Sequence, residues 1–417
     1  MELDINSSSI TEMSAASAID LLRLGVATRN QGNLLEAETV LLLAHRKHPS
    51  HWQPLYELGV LYSIRDEMEK AFMCYMQSFE LNRDSIGLLE RLLGIICSKG
   101  LEDQLYEVIS KIDNCNYKFT WLADCSVQLL RFIREFSIEK VEKIYADMLE
   151  QRGPLQSASQ IVNEMQYALD NKTGYAIVRI GDGEGSWLQH DLLEETRYGA
   201  LYKRNREEFW YDWFGKGQRE KIPDFYKFTR SLSNELKHID VIGVSPLSWI
   251  KHEYKHGNFR GCPGTLNAVR ISMMNTPSST KVCTSMINYD LGNSQEFIDF
   301  LAGAEEIGII SCQPDLKEYL QTILPNTTFS FIGIPSEPSR RHLLGEQAIV
   351  GEHFPTGFNE ALSKIRGRDW SGVPFLVAGG VLAKLYAIEI KKRGGIAVDI
   401  GSQADKWMKR KTRPNFK

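Results

Sequence analysis

The sequence predicts two kinds of structure in one chain. An N-terminal α-helical solenoid is followed by an α/β domain with a mostly parallel sheet and helices on both faces. Three observations carry this reading. Small residues recur at a fixed spacing in the first third of the chain. After Lys172, short β-rich runs alternate with amphipathic helical patterns. Several of those runs end in glycines and acids, as in "RIGDGEG" and "VAGG".

The repeat comes first in the chain. Leu24-Gly25, Ala37, Leu41 and Ala44 are matched by Leu58-Gly59, Ala71, Tyr75 and Ser78. Gly59 follows Gly25 by 34 residues, and Ala71 follows Ala37 by the same number. A fixed period of this length is the mark of a helical-hairpin array. Gly25 and Ala37 are expected on facing helices, where small side chains let two backbones approach. Gly32-Asn33 reads as the turn between them. A third unit, Ile86 to Ile112, keeps the apolar periodicity and loses the small residues, as a capping repeat would. Leu122 to Glu150 reads as one continuing amphipathic helix, ended by Gly153-Pro154. Ser157 to Asn171 reads as the helix leading into the next domain. The expected divisions are a disordered stretch at 1–14, repeats at 15–113, a helical linker at 114–156, an α/β domain at 157–408 and a basic tail at 409–417.

The α/β region has seven expected strands. They are Tyr175–Ile180, Val241–Ser245, Lys281–Ser285, Ile307–Ser311, Thr328–Ile334, Phe375–Val377 and Ile396–Ile400. Expected helices lie at Pro223–Lys237, Ser294–Leu301, Leu316–Leu324, Gly357–Ile365 and Val381–Lys392. Strands alternating with helices imply a parallel sheet, and such sheets bind ligands beyond their carboxyl ends.

The most informative stretch is "YAIVRIGDGEGSWLQ". A core strand runs into Gly181, Asp182, Gly183, Glu184 and Gly185. Two carboxylates at a strand end suit a hard cation that completes its shell with water and substrate phosphates. Gly181 and Gly183 would let a bulky ligand approach the backbone. An ordinary acidic turn is the competing reading. Arg179 would contact phosphate or pair with a carboxylate across the sheet. Ala378-Gly379-Gly380 opens a helix whose bare amides suit an anion, or else serves close packing. Asp399, Ser402 and Asp405 fall near the same rim. Glu337, Asp315 and His353 follow strands or lie in loops on the presumed rim and are candidate bases, Glu337 first. Arg340, Arg341 and His342 would meet an anionic ligand or form a solvated turn. Trp210, Tyr211, Trp213 and Phe214 would pack as core or lid, or offer their faces to a ligand.

Composition limits the alternatives. The net charge of −4 argues against a nucleic-acid binder. Seven widely spaced cysteines without a CxxC pair fit reduced thiols and argue against a thiolate zinc site. The acidic, polar start reads as no signal peptide, and no apolar run approaches the roughly 18 residues of a membrane span. A cytoplasmic protein is expected, with peripheral attachment to an inner membrane as an option. The basic tail reads as a solvated terminus, with a membrane-surface or polyanion contact as the alternative.

Two resemblances sharpen these expectations. The 34-residue units resemble tetratricopeptide repeats, which implies a concave surface for a protein partner. "VRIGDGEGSWL" resembles the opening motif of glycosyltransferases of the GT-D fold, and "VAGGVLAKLYAIEIKKRGG" with "IAVDIG" resembles that family's closing segment. The likeness covers about Gly174 to Trp407, and Ser402 stands where a histidine is common. It implies a Rossmann-like α/β domain of the GT-D type. It further implies transfer of a sugar from a nucleotide-sugar, often a uridine diphosphate sugar, to a glycan or glycoconjugate. Asp182 and Glu184 would then hold Mn2+ or Mg2+. Arg179, Gly181, Gly183, Gly379, Gly380, Asp399 and Ser402 would lie against the donor diphosphate, and Glu337 would act as base. Two other readings are an S-adenosylmethionine-dependent methyltransferase, echoed by "RIGDGEG" and "VDIGSQAD", and a repeat scaffold carrying an inactive Rossmann-like domain.

Overall fold

A computed structural model describes residues 16–99, 101–113, 119–188 and 191–413. The stretch expected to be disordered at 1–14, the first residues of the expected linker (114–118, with Cys115) and the last four of the basic tail lie outside the described residues. The chain forms two compact units. One holds the helices up to Glu135 together with Tyr254–Asn258, and the other holds Phe136–Glu253 and the chain from Phe259 onward.

The first unit is a run of helices: Ala18–Asn30, Leu34–Lys47, Trp52–Ile64, Met68–Leu81, Ile86–Lys99, Glu102–Asp113 and Trp121–Glu135. Ser17 caps the first by accepting the Asp20 amide at 3.2 Å. The 34-residue period is visible in the backbone. Gly32 turns at φ +88, and Asp66, one period later, turns at φ +59. Gly25 and Ala37 lie on helices that pack against each other, as expected. A Cβ on Gly25 would lie 2.7 Å from the Leu41 side chain, and one on Gly59 would lie 2.6 Å from the Tyr75 ring. Each glycine therefore receives a large side chain from the second helix of its own hairpin. The continuous helix expected over Leu122–Glu150 is two helices. It breaks at Phe136-Ser137, and Ile138–Arg152 begins the second unit.

In that second unit Arg152 is buried and closes the end of a distant helix. Its Nη2 donates to the carbonyls of Ser272, Met273 and Thr276 at 2.8–2.9 Å, at the C-terminus of helix Gly261–Met274. Helix Ala158–Asp170 starts with a capping box made by Ser157 and Gln160. All seven expected strands form: β1 Tyr175–Arg179, β2 Val241–Val244, β3 Lys281–Thr284, β4 Glu306–Ser311, β5 Thr328–Gly333, β6 Pro374–Val377 and β7 Ile396–Asp399. They make one sheet in the order β3-β2-β1-β7-β6-β4-β5, with every pairing parallel. The central strands are buried on both faces, as near-continuous apolar runs require. β1 lies between β2 and β7, in register Ile177 with Val241 and Ile177 with Val398. The chain therefore moves outward from β1 through β2 to β3, then fills the other half and returns to β1 with β7. The carboxyl ends of β1 and β7 meet where the direction of winding changes, the place where such sheets bind ligands.

Candidate active site at the carboxyl edge of the sheet

The acidic turn is the first turn of a short helix, Asp182–Leu188, set directly beyond β1. Two carboxylates two positions apart on a helix point in different directions, and here they serve different neighbours. Glu184 accepts the Lys384 ammonium on Oε1 at 2.7 Å and the Gly181 amide on Oε2 at 3.1 Å. Asp182 accepts the Gly183 amide on Oδ1 at 3.0 Å. Burial pushes the Asp182 carboxyl up; Arg260 opposes this and Glu184 adds to it.

Glu184 belongs to a buried charge network. Lys384 also reaches Asp399 Oδ2 at 3.1 Å and the Gly380 carbonyl at 3.1 Å. Arg179 donates to Asp399 through Nε and Nη2 at 3.0 Å each, and through Nη1 to the Ser285 carbonyl at 3.1 Å. Asp399 is 2% exposed. Burial works to raise its pKa, yet Arg179 and Lys384 outweigh that and hold it below the ordinary value. Burial works to lower Lys384, and Asp399 and Glu184 more than reverse it. So Arg179 takes the second of its two expected roles, pairing with a carboxylate across the sheet. Asp399 sits beneath the rim as its counter-charge.

The glycines of the two motifs answer to packing. A Cβ on Gly185 would lie 1.9 Å from the Gly264 carbonyl, and one on Gly183 would lie 2.5 Å from the Trp213 ring. Helix Asp182–Leu188 thus approaches helix Gly261–Met274 backbone to backbone. Gly401, the glycine of "VDIG", has φ +42 and gives its Cβ position to Arg179 Nη2. Gly181 meets only Glu184 Oε2, at 3.4 Å. Gly379 is buried against Tyr386 and Ile334, while Gly380, at φ +57, is exposed beside Glu337 Oε1. The helix expected from Val381 opens with a 3-10 turn, Gly380–Leu382, and becomes α-helical at Ala383.

The expected bases separate. Asp315 is held by Arg410 at 2.7 Å. His353 is buried, 3.1 Å from the Tyr386 hydroxyl, and burial drops it to about 4. Glu337 remains on the rim beyond β5, half-buried, with Arg340 Nε 3.8 Å away. Burial raises it; Arg340 and Arg413 oppose this, and Asp405 and Asp212 add to it. Arg341 binds Ser336 at 3.2 Å and His342 is exposed. Ser402 Oγ lies 2.7 Å from the Tyr289 hydroxyl.

The aromatic stretch is the end of helix Gly199–Phe214. Trp210 and Phe214 are buried in a cluster with Phe225 and Phe354. Tyr211 is half-buried. Trp213, also half-buried, stacks on Phe209 at 5.4 Å beside Gly183. Asp212 Oδ2 accepts Arg260 at 2.8 Å, and its carbonyl accepts Ser339 Oγ at 2.6 Å. It therefore joins the acidic turn's surroundings to the Glu337 loop.

Two residues escaped the sequence reading. Lys384 lies in an apolar helix and gave no signal beyond its charge. Glu253, on helix Leu247–Lys255, is 7% exposed, and burial followed by Asp182 pushes it up to about 7. Among the described residues, no group of three or more His, Cys, Asp or Glu side chains is placed to hold a metal ion. No described helix is long and apolar enough to cross a membrane.

No curated protein matches the chain. Residues 156–335 match the family described as the GT-D fold-like domain. The match spans β1 to β5 and the acidic turn, and it stops short of Gly379, Gly380 and Asp399. From β1 through β5, the α/β unit of this chain is similar to a GT-D fold-like domain.

Proposed function

We propose that the α/β unit is a glycosyltransferase that moves a sugar from a nucleotide-sugar, a uridine diphosphate sugar first, to a hydroxyl of a glycan or glycoconjugate. One observation carries the reading: in a GT-D-like domain, the acidic helix start stands beyond β1 where the winding reverses. Breaking a glycosyl–phosphate bond leaves negative charge on the diphosphate, and that charge must be met where it develops.

Asp182 fits a divalent ion. It is a carboxylate that burial and neighbouring Glu184 make harder to ionise, and a cation relieves both. Glu184 fits less well, because Lys384 and the Gly181 amide hold its oxygens. A bound Mn2+ or Mg2+ would supply charge neutralisation for the departing diphosphate. Glu337 is the proposed base for the acceptor hydroxyl, its pKa raised by burial, which makes it a stronger proton acceptor than an ordinary carboxylate. Trp213, half-buried beside the acidic turn, is the aromatic proposed to stack on the donor. The helical repeats are proposed to be tetratricopeptide-like and to dock a protein partner.

The test is a thermal-shift and calorimetric panel of nucleotide-sugars with and without manganese, with S-adenosylmethionine alongside. Metal-dependent stabilisation by one nucleotide-sugar supports the reading. Stabilisation by S-adenosylmethionine alone overturns it.

A further inference from the structure

Glu253 is 7% exposed, and among the described residues its carboxylate accepts no hydrogen bond and makes no ion pair. A buried polar group without a partner costs free energy and calls for an explanation, a bound ion among them. Protonation does not supply one, because a neutral carboxyl would leave an O–H donor without an acceptor. The main-chain carbonyl of Glu253, by contrast, accepts Cys262 Sγ at 3.2 Å.

The side chain has a defined seat. A Cβ on Gly261 would lie 1.9 Å from Glu253 Oε2 and 2.3 Å from its carboxyl carbon, so the carboxylate rests on the first residue of helix Gly261–Met274. Asp182 meets the same helix one turn on. A Cβ on Gly264 would lie 2.2 Å from the Asp182 carbonyl oxygen and 2.8 Å from its Cα. Positions three apart are neighbours on a helix surface, with about 5–6 Å between their Cβ positions. Gly261 and Gly264 therefore seat the two acids side by side on the opening turn of one helix. The closeness also acts on charge: after burial, Asp182 pushes the Glu253 carboxyl up. The cation that acts on Asp182, Arg260, is engaged by Asp212 at 2.8 Å and lies 3.8 Å above the Phe209 ring. Glu184, the other acid of the turn, is already held by Lys384 and the Gly181 amide. The acids left to share an added cation are Asp182 and Glu253.

We propose that Asp182 and Glu253, rather than Asp182 and Glu184, are the protein ligands of the divalent cation. The inference rests on the metal-dependent nucleotide-sugar reading and deepens it, exchanging the second ligand for a residue outside the acidic motif. Two carboxylates leave the remaining positions of a hard cation to water and to the donor diphosphate. A cation there neutralises both acids at once, so Glu253 destabilises the chain only until the ion binds. Glu184 becomes a positioning residue, which with Lys384 anchors the turn that carries Asp182.

Manganese titration of the full chain at about pH 8, where carboxylates are ionised, tests this with and without UDP. The paramagnetic resonance signal of free Mn2+ reports uptake. Wild type is expected to take up Mn2+. D182N and E253Q should each weaken uptake about tenfold or more, since even residues that only support a metal ligand are worth that much. E184Q should weaken it less than E253Q. Thermal melts without metal give the second readout. E253Q should melt no lower than wild type, because it removes a buried charge that has no partner, so its lost metal affinity does not come from unfolding. E253A carries the comparison if the glutamine amide disturbs the packing on Gly261. Wild-type affinity in both E253Q and E253A overturns the Glu253 assignment and leaves the metal-dependent transferase standing on Asp182 and Glu184. A larger loss in E184Q than in E253Q does the same. A wild type that takes up no Mn2+, alone or with UDP, overturns the assignment and the metal-dependent reading together.

Discussion

Lys384 lies 2.7 Å from Glu184, and this one ion pair ties the helix after β6 to the acidic turn after β1. Lys384 is 3% exposed, so its charge is held by Glu184 and Asp399 rather than by water. Removing the ammonium leaves Glu184 with the Gly181 amide and Asp399 with Arg179 alone as its counter-charge. K384M is expected to destabilise the protein by about 3–5 kcal/mol. Urea denaturation followed by tryptophan fluorescence measures it, and a loss under about 1 kcal/mol would show that the network is solvated.

The two carboxylates of the acidic turn should fail differently. D182N is expected to abolish manganese-dependent donor binding while leaving the melting temperature within a few degrees of wild type. E184Q should lower the melting temperature through Lys384 and retain part of the metal response. Titration with manganese in the presence of a nucleotide-sugar separates these outcomes. Equal loss of metal response in both variants would return Glu184 to the metal.

The glycines of the turn are also not equivalent. G185A sets a methyl group against the Gly264 carbonyl and is expected to cost about 1–3 kcal/mol or more, because backbone has to move. G181A meets only the flexible end of Glu184 and should cost under about 1 kcal/mol. Thermal melts of the pair decide this, and similar losses would refute the close helix approach.

Glu253 makes stability fall as pH rises. Its folded pKa of about 7 lies above its unfolded value, so the folded state holds the extra proton between them. Stability from this group is fully present below about pH 4, declines between about pH 4 and 7, and stays low above. E253Q should flatten that decline and gain on the order of 3 kcal/mol at pH 8 relative to wild type. Denaturation midpoints across pH 4–8 test it, with parallel curves as the contrary result.

In the repeat unit, G59A drives a methyl group into the Tyr75 ring and should destabilise by about 1–3 kcal/mol. G59A combined with Y75L should recover part of the loss, because the smaller side chain vacates the position. A double-mutant cycle measures the coupling, and strict additivity would count against the contact.

The sheet was legible because its strands are β-rich runs bounded by glycine and polar residues, and all seven formed where that pattern lay. The acidic turn was legible because acids are unexpected after "YAIVRI". What lay hidden depended on contacts between distant segments. Lys384 reads as one lysine on a mostly apolar helix until Glu184 and Asp399 surround it. Glu253 sits in "KHEYK", a string that reads as solvated. Gly183 looked like room for a ligand, and its space is filled by Trp213 and Phe209.

The pairing of β1 with β7 sets an order of assembly. The ribosome delivers the acidic turn early, but Lys384 and Asp399 emerge only after every other strand of the sheet. Until then Glu184 and Arg179 lack their counter-charges and β1 lacks one neighbour. A nascent chain halted near residue 335 would carry the whole family-matched stretch and still be unable to close its centre. Closure of the sheet's centre should therefore follow synthesis of β7 and be governed by long-range contacts.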